Sequence, residues 1–226
     1  MKRQRILISV PVGWFVFTQW AEWFMEWAST YDRKKYEVAV KWEVSNTKTI
    51  GYSRCIENAQ TFDPDFFWLL ETNHQLVDAI DYVVPIVAEH KCCFSPSIIN
   101  TDHGREVRAY PVDFDGEHFP AKDKAWEAVG GGTAFVSIDG PTLHRMVPWY
   151  RWNAGPDPGH PIFGFDGVHP DGQIRSIDYS IFEVIRKTGA KVMAEPRLRS
   201  WNFRLKGQPS YGFDDSGDKD VRFFNP

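Results

Sequence analysis

The first hundred residues alternate short, wholly apolar runs with stretches of helical periodicity, and this rhythm restricts the fold more than any other feature. Arg5-Ile-Leu-Ile-Ser-Val-Pro11 is a continuous apolar run closed by a proline, the mark of a strand buried on both faces. Between Phe15 and Thr30, the residues Phe17, Trp20, Phe24 and Trp27 recur at helical spacing, with Glu22 and Glu26 turned outward. Tyr36–Trp42 alternates as a second strand, and Ser53–Phe62 reads as a helix with Pro64 just past its end. Asp65–Leu70 is a third buried strand, Asp78–His90 a helix and Cys92–Ile99 a further strand. Strand and helix in strict alternation predict a doubly wound α/β domain with a mostly parallel central sheet flanked by helices. Ligands of such sheets lie beyond the carboxyl ends of the strands, which here are Pro11-Val12, Glu43–Asn46 and Glu71–His74.

The second half changes character. Arg105–Phe119 reads as a small antiparallel hairpin, and Gly130-Gly131-Gly132 leads into the apolar strand Thr133–Ile138. The Gly/Pro-rich loop Ala154–Gly172 is too long for a simple connector and has the length of a lid or binding loop. The helix Ile177–Thr188, then Gly189, then the strand Lys191–Ala194 follow. No internal repeat or second domain is visible. Residues 1–206 read as a single domain, and 207–226 as a polar, loosely held tail.

Composition excludes several classes. With 42% hydrophobic and 25% charged residues, the 226-residue chain is an ordinary globular one. A net charge of -4 with no long Lys/Arg run argues against a nucleic-acid partner. The basic start Lys2–Arg5 followed by Ile6–Phe17 imitates a leader, but Pro11 and Gly13 interrupt it and no cleavage site precedes Glu22. No apolar stretch reaches the roughly 18 residues that span a bilayer. Cys55, Cys92 and Cys93 offer neither a disulfide framework nor zinc spacing, as in a reducing compartment. A cytoplasmic protein is expected. Aromatic residues are in excess at 15%, including 10 Trp; they fill the core or stack on sugars and bases.

Four landmarks in this order resemble the GT-A glycosyltransferases, in particular small family-2-type viral and bacterial members. They are Pro11-Val12 at the end of the first strand, Arg54 and Asn58 in Tyr52-Ser-Arg-Cys-Ile-Glu-Asn-Ala59, and Glu71-Thr72-Asn73 where the family carries Asp-x-Asp. The last is Val129–Ile138 with its three glycines, followed by Ile177-Asp178-Tyr179 at a helix start. The resemblance covers about residues 5 to 203. It implies a Rossmann-like GT-A domain with a nucleotide-binding half over about 1–100 and an acceptor half over about 101–206. It implies transfer of a sugar from a UDP- or GDP-sugar to a carbohydrate or other hydroxyl acceptor, with inversion. Pro11, Val12, Glu43, Arg54, Asn58, Gly131 and Gly132 would hold the donor, and Asp178 would be the base.

Chemistry explains these positions. A departing diphosphate gains negative charge, which a cation held by oxygen ligands, Mn²⁺ or Mg²⁺, can stabilise. The ligands implied are Glu71, Asn73 and Asn202. Here the chain departs from the family: one carboxylate of Asp-x-Asp has become the amide of Asn73, and the family's late metal-binding His is absent from Arg199-Ser-Trp-Asn-Phe203. Either a metal is held weakly, or Arg54 or Lys48 replaces it, or the chain is an inactive relative that binds a glycan or partner. A nucleotidyltransferase shares the first half-sheet, but Val12-Gly-Trp-Phe15 is a poor match to its Gly-rich basic loop.

Several features carry two readings each. Asp178 fits a general base or a helix cap beside Ser176. The three glycines fit close backbone approach to a ligand or a bend before a strand. Trp149, Tyr150 and Trp152 fit an acceptor platform or an anchor for the loop. Asp157, His160, Asp166 and His169 fit a metal cluster or, more commonly, a solvated loop. His74 fits a phosphate or metal contact or a surface turn.

Overall fold

Ile6, Leu7, Ile8, Ser9 and Val10 are all buried, so the first strand is paired on both sides within a sheet that carries helices on both faces. The computed structural model describes residues 2–13, 16, 18–45, 48–101, 104–113, 123–153, 167–168, 174–175, 177–202, 208–209 and 221–223. In chain order the elements are β1 (Gln4–Val12), α1 (Thr18–Ser29), β2 (Tyr36–Val44), α2 (Lys48–Phe62), β3 (Phe66–Leu70), β4 (His74–Leu76) and α3 (Ile80–Val87). Next come β5 (Cys92–Phe94), β6 (Ser97–Thr101), β7 (Gly104–Pro111), β8 (Trp126–Gly131), β9 (Phe135–Asp139) and α4 (Gly140–Asn153). The chain then adds β10 (Gly167–Val168), β11 (Ile174–Arg175), α5 (Ile177–Lys187), β12 (Met193–Ala194), β13 (Ser200–Asn202), β14 (Gln208–Pro209) and β15 (Val221–Phe223).

Alternate strand residues feed two cores. Ile6, Ile8, Val10, Trp68 and Leu70 pack with Trp20, Phe24 and Trp27 of α1 and with Ile80, Val83, Val84 and Val87 of α3. Leu7, Phe67 and Leu69 face the other way, onto Tyr52, Cys55 and Ile56 of α2, Leu143 and Met146 of α4, and Ile181, Phe182 and Ile185 of α5. The result is a helix–sheet–helix sandwich, as the alternating pattern predicts. Among the described residues no helix is long and apolar enough to cross a membrane.

The sheet is mixed, which corrects the expectation of a mostly parallel one. Its order is β15-β7-β8-β12-β5-β9-β3-β1-β2, with β6 on β7. β1 runs parallel to β2 and β3, but β9 runs antiparallel to both β3 and β5, and β8 antiparallel to β12. A run buried on both faces reads identically in either direction, so apolarity alone does not give strand sense. A hairpin joins β6 to β7 over Ser97–Pro111; of the one expected over Arg105–Phe119, residues 114–119 lie outside the described residues. The strand expected at Cys92–Ile99 is broken at Ser95-Pro96, where proline has no N–H to give and the Ser95 hydroxyl donates to the Leu198 carbonyl at 2.6 Å. Two pieces of the expected tail join sheets, β14 on β13 and β15 on β7.

Candidate functional site

Three strand ends and one helix start surround a cavity of about 280 Å³. Pro11, Val12 and Gly13 come from the end of β1; Ser45 follows β2; Lys48, Gly51 and Tyr52 form the first turns of α2; Glu71, Thr72 and Asn73 link β3 to β4. The first turn of α2 packs directly on the strand ends, since a Cβ on Gly51 would lie in van der Waals contact with the side chains of Pro11 and Ser45, at 3.4 and 3.6 Å. The helix begins at Lys48, more than one turn earlier than the Ser53 start its periodicity predicts. That start puts Lys48 and Tyr52 four residues apart on one helical face, both aimed at Glu71.

The turn that carries Glu71 is fixed from several sides. Its N–H donates to the Ala134 carbonyl at 3.1 Å and its carbonyl accepts from His74 N–H at 3.0 Å. Trp20 of α1 donates its indole N–H to the His74 carbonyl at 2.5 Å, which ties a core aromatic directly to the turn. The His74 side chain is buried, with Nδ1 at 3.1 Å from Asn73 Oδ1 and 3.9 Å from Glu71 Oε2. It is a packed residue of the turn, not a surface one.

Glu71 and Asp178 meet at one point. Lys48 Nζ lies 2.7 Å from Glu71 Oε1 and 2.6 Å from Asp178 Oδ1. Thr133 Oγ1 bridges the same two oxygens at 2.6 and 2.8 Å. The Tyr52 hydroxyl bonds to Glu71 Oε1 and lies 2.6 Å from Thr133 Oγ1. Asp178 stands in the first turn of α5, so residues from α2, the end of β3, the start of β9 and α5 converge here.

The electrostatics follow from this crowding. Burial pushes the Glu71 carboxyl up, but the Lys48 ammonium, then His74, then hydrogen bonds from Lys48 and Thr133 outweigh it and hold the group well below the usual carboxylate range. For Asp178 burial prevails: its carboxyl is raised, with Lys48 opposing and the Glu71 charge adding to the rise. Burial also acts on Lys48, yet the two carboxylates more than offset it and hold the ammonium protonated beyond the usual lysine range. Tyr52 is raised well above an ordinary phenol, by burial first and then by Glu71 and Asp178.

Not every expected residue reaches the cavity. Pro11, Val12, Glu71 and Asn73 line it. Glu43 and Asn58 do not, because they bond to each other between β2 and α2, the Asn58 amide donating to the buried Glu43 carboxylate. Arg54 donates to the Val44 carbonyl at 3.2 Å and closes the end of β2 instead. Gly131 ends β8, and Gly132 follows it directly into Thr133; both are buried. Neighbouring Gly130 approaches Phe182 so closely that a Cβ would lie 3.2 Å from its ring. The backbone of Asn202 pairs with His74 across β13 and β4, while its side chain lies outside the described residues. Trp149, Tyr150 and Trp152 fall within α4, their side chains also outside, and so are Asp157, His160, Asp166 and His169.

Tyr52 and Thr133 are functional candidates that sequence reasoning missed. Tyr52 could have been found through its i, i+4 relation to Lys48 had the start of α2 been placed correctly. Thr133 carried no signal of its own; it stands in the short link between β8 and β9.

Among the described residues, Glu89, His90 and Glu195 also bring ligand-type atoms within 4.8 Å of one another. Arg197 already holds that cluster. Its guanidinium lies 2.6 Å from Glu89 Oε2 and 2.7 Å from Glu195 Oε2, and His90 Nε2 is 3.0 Å from the same Glu195 oxygen. Burial pushes the Glu195 carboxyl up, but bonds from Arg197 and His90 prevail and hold it at about 2. This is a charge network of the scaffold, away from the cavity.

No family model matches the chain, and no curated protein does either. Among solved structures, it is similar to the crystal structure of GalNAc-T7 with UDP, GalNAc and Mn²⁺, at a TM-score of 0.52 and 10% identity, over 88% of this chain and 43% of that one. The fold is GT-A-like. At such identity the likeness speaks for the architecture alone, and the chain spans less than half the length of that structure. The A197 protein from STIV also aligns, over 88% of this chain and 85% of that one, at 12% identity and a TM-score of 0.49.

A GT-A-like fold raises the matter of a divalent cation, and the donor set can be tested against one. Hard cations require several converging oxygen ligands. The two carboxylate oxygens that converge here do so on the Lys48 ammonium, and Glu71 Oε1 is bonded besides by Thr133 and Tyr52. Asn73 contributes an amide in place of a second acid, its Oδ1 beside His74. These residues do not fit a divalent ion while Lys48 stands between them.

Proposed function

We propose that this chain is a glycosyltransferase, moving a sugar from a UDP- or GDP-sugar to a hydroxyl acceptor with inversion. The observation that carries the reading is that Lys48 and Glu71 line a cavity on the carboxyl ends of β1, β2 and β3, with Asp178 against Lys48 directly behind them, in a GT-A-like fold. Pro11 and Val12 would contact the nucleotide, while Gly131 and Gly132, buried away from the cavity, would serve the scaffold behind it. Glu43, Arg54 and Asn58, with partners elsewhere, hold the scaffold that presents them.

In the reaction, the bond from the anomeric carbon to the diphosphate oxygen breaks and its electron pair stays on the diphosphate. The acceptor oxygen attacks that carbon from the opposite face, and its proton passes to Asp178. A carboxyl raised by burial is a stronger base than an exposed aspartate, which suits this role. The products are a nucleoside diphosphate and a glycoside. The test is a hydrolysis and thermal-shift panel of UDP- and GDP-sugars, with and without Mn²⁺. Turnover or stabilisation by one of them is expected; silence across the whole panel would sink the reading.

One observation favours a second reading, a module that binds a glycan or partner without turnover: the amide of Asn73 stands where the family has a carboxylate. Nucleotide binding with no turnover, equal in the parent chain and in Asp178→Asn, would select it.

A further inference from the structure

We propose that Lys48 is the built-in cation of this site, taking the charge of the leaving diphosphate in place of a divalent metal. The inference rests on the transferase reading above. Lys48 lines the cavity, its side chain is 41% exposed, and its Nζ touches Glu71 on one side and Asp178 on the other. The ammonium thus has both a fixed seat and a free path into the cavity, on a four-carbon stem with three donors.

The place between the acids is already taken: Glu71 and Asp178 both direct a carboxylate oxygen at the one Lys48 ammonium, where a dication would otherwise sit. An entering metal ion would have to displace Lys48 from contacts of 2.6 and 2.7 Å. A diphosphate does not have to displace it, because its oxygens are themselves acceptors for the same ammonium. As Lys48 turns toward the diphosphate it leaves Asp178, and the carboxylate that must take the acceptor's proton is released when the donor arrives. Diphosphate binding and base release are thereby one motion of one side chain.

The experiment titrates UDP and GDP into the EDTA-stripped full chain by calorimetry, then repeats this with Mn²⁺. Binding in EDTA, unchanged by Mn²⁺, is expected. Lys48→Ala should weaken it roughly 10- to 100-fold, as loss of a charge-assisted bond does, and Lys48→Arg should restore most of it. Lys48→Ala should also uncover the carboxylate pair, so that Mn²⁺ loses its free-ion paramagnetic signal with this variant but not with the parent chain. Circular dichroism checks that each variant is folded. Binding that appears only with Mn²⁺ overturns the inference and leaves the transferase reading standing, as does binding in EDTA that Lys48→Ala does not change. No binding of either nucleotide in any arm removes the transferase reading, and this inference with it.

Discussion

Asp178 Oδ1 is shared between Lys48 and Thr133, so its substitution separates chemistry from binding. Asp178→Asn should lower transfer by roughly 10²- to 10⁴-fold while nucleotide affinity, read by calorimetry, changes by less than about threefold. Gly130 answers to packing alone: Gly130→Ala places a methyl 3.2 Å from the Phe182 ring and should cost about 1–3 kcal/mol in urea denaturation. Glu71 and Asp178 stood out through the resemblance and not through spacing, since an acid at a helix start is equally explained by capping; the fold brings both to one ammonium. Glu43 and Asn58 looked equivalent in sequence, yet they satisfy each other inside the scaffold. A polar residue near a strand end reaches ligand only if no neighbour claims it first, and that claim is tertiary.

Helices and strands were legible as kinds more readily than as boundaries. α3 was expected from Asp78, but the Asp78 carboxylate is drawn to Arg199 and its carbonyl accepts the Trp27 indole N–H at 2.8 Å, so the helix starts at Ile80. α1 binds to the site-bearing turn through Trp20. Trp20→Phe removes the donor to the His74 carbonyl and should cost about 2–3 kcal/mol by urea denaturation, more than ring area alone explains. The link between α3 and the segment after β12 is electrostatic and pH-sensitive. The Glu195 carboxyl, held at about 2, lies below its unbound value of 4.5. Its contribution is complete above that unfolded value and is lost as pH falls from there toward 2, amounting to about 2–3 kcal/mol at neutral pH. The urea midpoint of the parent chain should exceed that of Glu195→Gln at pH about 7, and the gap should close on acidification through about pH 4 to 3.

For the molecule as a whole, two-sided burial and helices on both faces were readable from the alternating runs, whereas the sense of β9 and β8 was not. Periodicity reports what a strand faces and carries nothing about which way it runs. If the cavity holds a nucleotide, the entire domain should feel it: at about one hundred times its dissociation constant the ligand adds about 2.7 kcal/mol, or roughly 5–10 °C in melting temperature for a chain of this size. Scanning fluorimetry with UDP and GDP checks this. The reversed strand has one more consequence. Because Phe135 lies beside Leu70 and Asp139 beside Phe66, β9 offers its entrance to the cavity and its exit to the opposite rim. Substitutions in the link before Phe135 therefore act beside the site, whereas the Asp139–Gly140 junction on the far side answers to packing alone, since a Cβ on Gly140 would run into the Pro64 carbonyl.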